Sequence, residues 1–258
     1  MALNYKIENI LKDFYDSGGR TKFQQSLSKV LTFAKKDERF KTINHLAYLL
    51  ATAKEESDYS LERWESDYVC GDAGVKYADK PCQSAINYYC STQGEKQNYC
   101  VGQKMDKRGL PYFGRGLIQL TWYDNYKKYG DLIGVNLVDN PEKVFIPENS
   151  YNIAVTYMNM KRGDLNKSTF DWVDEGNLTQ ARRSVNGGTK GLDDVNKEYQ
   201  RWVEILKKNA NVVEGKSNVK KVIGITIAVA TIGVTMTLVY FALKRANKLP
   251  NFMKKIKL

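Results

Sequence analysis

Four glutamates fall between positions 55 and 65 of this chain: Glu55, Glu56, Glu62 and Glu65. Two carboxyls facing one another across a cleft are the equipment for cleaving a glycosidic bond. One donates a proton to the leaving oxygen, and the other activates water or attacks the sugar carbon. The stretch Tyr112-Phe-Gly-Arg-Gly-Leu-Ile-Gln-Leu-Thr-Trp-Tyr-Asp-Asn-Tyr126 suits the opposite wall of such a cleft. Its two glycines bracket Arg115, so the backbone there can turn tightly or come close to a ligand. Gln119, Thr121 and Asn125 offer neutral hydrogen-bonding groups among the rings of Tyr112, Phe113, Trp122, Tyr123 and Tyr126. Such a mixture matches the hydroxyls and flat apolar faces of a sugar chain. A Gly-Arg-Gly turn entering a buried element would have the same composition, and taken alone each glutamate fits a solvated surface.

The elements that must position these groups are helical. Ile7, Ile10, Leu11 and Phe14, then Phe23, Leu27, Val30 and Leu31, recur at helical spacing in two helices broken by Asp16-Ser-Gly-Gly-Arg20. A third helix, about Thr42 to Ser57, carries Ile43, Leu46, Ala47, Leu50 and Ala53 as its buried stripe. Glu56 stands at the edge of that stripe and Glu55 farther toward solvent, so Glu56 is the better placed of the two to hold a proton. Pro141 and Pro147 punctuate a loop. Glu148 to Met160, Thr179 to Val185 and Asp194 to Lys208 read as further helices, and Asn186-Gly187-Gly188 as a turn. No strand-rich region or internal repeat is evident. His45, the only histidine, precedes the active end of its helix and is no candidate for catalysis.

Several matches in the same order resemble the signature of family 19 glycoside hydrolases, which include plant chitinases and peptidoglycan-cleaving lysins of phages and bacteria. The 112–126 run fits that signature without a gap. Tyr48-Leu-Leu-Ala-Thr52 upstream, and Val185-Asn186-Gly187-Gly188 with Gly191-Leu192 downstream, extend the likeness over roughly residues 40–206. The resemblance is nearer to the phage-lysin branch. It implies a mainly α, lysozyme-like domain and inverting hydrolysis of β-1,4 bonds. An ungapped alignment makes Glu56 the general acid and puts Glu55 where the family has a supporting His; a shift of one residue makes Glu55 the acid. Lysin relatives place the second carboxylate about nine residues on, at Glu65, with Glu62 the alternative. Nine residues of continuous helix would leave the two side chains on opposite faces. The helix must therefore end near Ser57 or Asp58 and the chain double back. The resemblance further implies that Tyr112, Arg115, Gln119, Thr121, Asn125 and Asn186 bind substrate. No cofactor or metal is expected.

Composition bounds the rest. The 258 residues suffice for one domain, residues 1–208, plus accessory segments. Cys70, Cys82, Cys90 and Cys100 lack any Cys-x-x-Cys pair, so two disulfides stapling an insertion at about 69–101 are expected, with three pairings open. Residues 209–221 read as a linker. Val222 to Leu243 carry no charge and, as a helix, would reach about 33 Å, enough to cross a bilayer. A basic tail, 244–258, holds six Lys or Arg and no acid, so the rest of the chain nets only +5 of the formal +11. That distribution suits a lipid or cell-wall surface and gives no nucleic-acid-binding stripe. No signal-peptide core is present, and the orientation of the anchor stays open.

The combined expectation is a membrane-anchored, phage-encoded hydrolase of peptidoglycan or a related N-acetylated glycan. It would be held in a host membrane or in the internal membrane of a virion, with other virion proteins as further partners. The alternatives are a chitinase, or a structural virion protein that keeps the fold as a wall-binding module.

Overall fold

In the computed structural model of the chain, the described residues are 3–64, 104–107 and 112–212. They form α1 (Ile7–Asp16), α2 (Gln24–Ala34), α3 (Ile43–Ser57), α4 (Tyr123–Ile133), α5 (Pro147–Asn159), α6 (Thr169–Asp174), α7 (Leu178–Asn186) and α8 (Leu192–Asn209), with a 3-10 turn over Pro141–Phe145. Strand β1 (Leu3–Asn4) pairs antiparallel with β2 (Asn211–Val212), Leu3 opposite Val212. The first residues of the expected linker therefore belong to the domain: Asn209 closes α8 and the next turn clasps the N-terminus. Glu65, the four cysteines, the 222–243 run and the basic tail lie outside the described residues. Among the described residues, no helix is long and apolar enough to cross a membrane.

Helix α3 is the axis of the domain. The Thr42 side chain caps it by accepting the His45 N–H at 3.3 Å, satisfying one of the orphan donors of its first turn. Its stripe is wider than the sequence pattern suggests. His45, Tyr48, Leu49, Ala51 and Thr52 are buried along with Leu46, Ala47, Leu50 and Ala53. The reason is tertiary: α8 packs along α3 more extensively than any other helix pair, and α5 and α6 cover other faces. A helix walled on several sides must be apolar all round. Each buried leucine on it contributes about 1.5–3 kcal/mol.

Two helices were not anticipated. In α4, Tyr126, Tyr129 and Ile133 follow helical spacing, but they overlap the Gly-rich signature and read as part of it. Helix α6 is six residues long, and Ser168-x-x-Asp171 forms a reciprocal capping box. The expected proline loop is instead a 3-10 turn followed by α5, whose first residue is Pro147, a position where a missing N–H does no harm.

Candidate active site

The required chain reversal occurs at the end of α3. Asp58 and Tyr59 both adopt left-handed backbone (φ 52° and 67°), and their N–H groups bond back to the carbonyls of Lys54 and Ala53. Lys54 Nζ bonds Asp58 Oδ1 at 2.5 Å and the Arg20 carbonyl at 2.6 Å. The Tyr59 ring turns into the core, where its hydroxyl accepts the Trp202 indole N–H at 3.0 Å. The chain then runs to Arg63 and Trp64, which meet the signature segment directly. Gly116 N–H donates to the Arg63 carbonyl at 2.8 Å, and Trp64 bridges antiparallel to Arg115.

That segment is a tight hairpin. Arg115 and Leu120 exchange both backbone hydrogen bonds, at 3.1 and 2.9 Å, and residues 116–119 form the turn. Gly116 has φ 76°, and a Cβ on it would lie 2.6 Å from Ser150 Oγ and 2.8 Å from Val144 Cγ1. Only glycine fits that approach to α5. Arg115 points inward, 1% exposed. One of its nitrogens bonds the Phe113 carbonyl and the Tyr126 hydroxyl, while its guanidinium lies over Trp64 and Tyr126. Tyr112 is also interior, and its hydroxyl donates to the Val138 carbonyl. Both residues, expected at the substrate, instead support the hairpin from behind. The interior has room for a flat guanidinium stacked between rings, and a lone Gly-Arg-Gly pattern does not distinguish that from a ligand contact.

On the front of the hairpin lies a cleft of ≈ 650 Å³. Glu56, Arg63, Gln119, Thr121, Trp122, Asn125, Tyr157, Asn186 and Lys190 are among the residues that line it. Gln119, itself left-handed at φ 54°, spends its amide N–H groups on the carbonyls of Arg63 and Gly116. Asn125 donates to the Thr121 carbonyl, and Thr121 to that of Gln119. With their donors committed, Gln119 and Asn125 present carbonyl oxygens to the cleft, suited to receive sugar hydroxyls or an amide N–H. Asn186 uses both ends of its side chain to hold its own turn, donating to the Lys190 carbonyl and accepting from Gly188.

The glutamates separate. Glu56 lines the cleft, and its Oε1 accepts Arg182 Nη1 at 2.6 Å. The Arg182 side chain is 3% exposed and Glu56 20%. Arg182 also donates from Nε to the Lys190 carbonyl, so a fixed guanidinium orients the carboxyl. Glu55 does not line the cleft. Its carboxyl lies against Gly191, where a Cβ would sit 2.2 Å from Oε1. Burial there pushes the Glu55 carboxyl above its ordinary value; Arg182 pulls it down and the Glu56 charge pushes it up. Glu62 is exposed and away from the cleft. Arg182, Arg63, Trp122, Tyr157 and Lys190 were not singled out as site residues from sequence. Nothing in the pattern of α7 marks Arg182, because its partner is 126 positions away.

A cleft with one oriented carboxyl and a wall of amide oxygens and aromatic faces is equipped for a glycan. Residues 66–184 match the family model described as chitinase class I. The chain resembles the family 19 glycoside hydrolases. Chitinase C from Streptomyces griseus shares the fold of this family 19-like domain, with a TM-score of 0.50 and 22% identity over 79% of this chain and 92% of that one. Endochitinase CHI of Arabidopsis thaliana is 36% identical over 80 residues, and Chitinase 11 of Oryza sativa subsp. japonica 46% identical over 46 residues. These matches take in 31% and 18% of this chain. They span 25% and 18% of those plant proteins.

Proposed function

We propose that this domain hydrolyses β-1,4 bonds in a polymer containing N-acetylglucosamine, with chitin-type chains as the first substrate. The likeness to plant and bacterial chitinases supports that choice of polymer. The observation that carries the reaction is Glu56, a carboxyl on the cleft wall with one oxygen held by Arg182. Oε2 is then the oxygen that would pass a proton to the glycosidic oxygen. Glu65 is the proposed partner carboxylate, activating water from the far side of the sugar ring, as an inverting reaction requires. Glu56→Gln should lower hydrolysis of N-acetylglucosamine oligomers about 10²–10⁴-fold while leaving the fold intact. Unchanged turnover in that variant sinks the assignment.

Peptidoglycan is the second reading, favoured by the cations Arg63 and Lys190 on the cleft wall. An acidic, peptide-bearing glycan gains from such charges and neutral chitin does not. A phage lytic role would accompany that substrate. The uncharged run 222–243 and its basic flanks support attachment to a membrane. Digesting purified chitin and purified peptidoglycan side by side, and reading which soluble fragments are released, distinguishes the polymers.

A further inference from the structure

Trp122 has a backbone conformation that a tryptophan rarely adopts. Its φ is 76° and its ψ 139°, an area of the map that is essentially glycine's because a Cβ crowds the adjoining peptides. The conformation is imposed from both sides. Its N–H donates to the Tyr112 carbonyl at 3.0 Å, and its carbonyl accepts the Tyr126 N–H at 3.0 Å. Those two tyrosines are buried, packed on each other with ring centroids 5.0 Å apart, and tied to the interior Arg115 through the Tyr126 hydroxyl. The interior machinery behind the hairpin thus forces position 122 into a shape glycine would take without strain. Yet the side chain there is the largest available, it is 39% exposed, and it stands on the wall of the cleft beside Thr121 and Asn125. A strained backbone that presents a large exposed ring to a cleft contributes nothing evident to the core. Its use must lie in what the ring meets.

We infer that Trp122 is a stacking platform for one pyranose ring of the glycan, a determinant of binding that the strained hairpin exists to present. The apolar face of a sugar ring lies flat on an indole, while the Gln119 and Asn125 oxygens take hydroxyl or amide hydrogens at its rim. This rests on the glycan reading proposed above.

Two substitutions separate the platform from a packing role. Trp122→Gly removes the ring and relieves the backbone; Trp122→Ala removes the ring and keeps the strain. The Gly variant should therefore melt higher than the Ala variant, the reverse of the usual order for that pair. Binding is read by calorimetry with a hexamer of N-acetylglucosamine, in a Glu56→Gln background so that the ligand survives. Both variants should weaken the dissociation constant about 10–100-fold, and Trp122→Tyr should recover most of it. Unaltered affinity in the Gly and Ala variants overturns the platform, even though the glycan reading stands. An Ala variant that melts above the Gly variant overturns the strain argument. If the Glu56→Gln protein with Trp122 intact binds neither this hexamer nor peptidoglycan fragments, the glycan reading itself fails.

Discussion

Replacing Arg182 with alanine removes the guanidinium that holds Glu56. Arg182 is nearly enclosed and makes two charge-assisted bonds, to Glu56 Oε1 at 2.6 Å and to the Lys190 carbonyl at 2.8 Å. Stripping one partner from a fully buried pair costs about 3–5 kcal/mol. Glu56 is 20% exposed and opens onto the cleft, so water can partly solvate the carboxylate left behind, and the loss shrinks to about 2–3 kcal/mol. For a domain of this size that corresponds to a fall of roughly 4–12 °C in melting temperature. Arg182→Lys keeps the charge but not the planar fork, and should lose less stability. The decisive assay is a double-mutant cycle with Glu56→Gln, read both by denaturant midpoint and by turnover of N-acetylglucosamine oligomers. If Arg182 acts by orienting Glu56, its removal lowers turnover in the wild-type background but hardly at all once Glu56 is gone. Additive effects on turnover, or a stability loss below about 0.5 kcal/mol, would refute the pairing as the device that orients the acid.

Other expectations follow from the same geometry. Gly191→Ala puts a methyl where the Glu55 carboxyl lies and strains a backbone at φ 70°, so stability should fall by about 1–2 kcal/mol. Displaced from its burial, Glu55 should titrate lower, which an NMR titration of the carboxyl would register. Gly116→Ala should be worse, about 2–4 kcal/mol, because a Cβ there meets Ser150 and Val144 as well as the left-handed strain; an unchanged denaturation midpoint would contradict the close approach. His45 is held below its ordinary 6.5 by burial, against the upward pull of Asp174, with Lys41 adding to the depression and Asp171 opposing it. The unfolded chain then binds the extra proton first. Its contribution is full above about pH 6.5 and declines as pH falls toward the lower folded value. Melting scans from pH 8 to 5 should show that decline, and His45→Gln should flatten it. Finally, a chain ending at residue 213 should remain in the soluble fraction while the full chain sediments with membranes; equal partition of both would remove the anchor from the account.

Much of this protein is legible in its sequence because the signals are local. The apolar spacing of residues 7–34, 43–57 and 192–209 places helices within a few residues of their observed ends. The need for a reversal after Ser57 follows from the carboxyl spacing alone, and Asp58 and Tyr59 supply it. Gln119, Thr121, Asn125 and Glu56 reach one cleft because the hairpin and the end of α3 are each locally encoded and pack together at Arg63–Gly116. What tertiary structure decided is which way each polar group faces. Arg115 and Tyr112 are spaced like ligand contacts but turn inward, since rings from Trp64 and Tyr126 enclose the guanidinium. Glu55 and Glu56 are adjacent in sequence, yet α7 offers Arg182 to one and the start of α8 offers Gly191 to the other. Neighbours brought from more than 100 positions away set the direction and environment of a side chain, and no spacing within a segment records them.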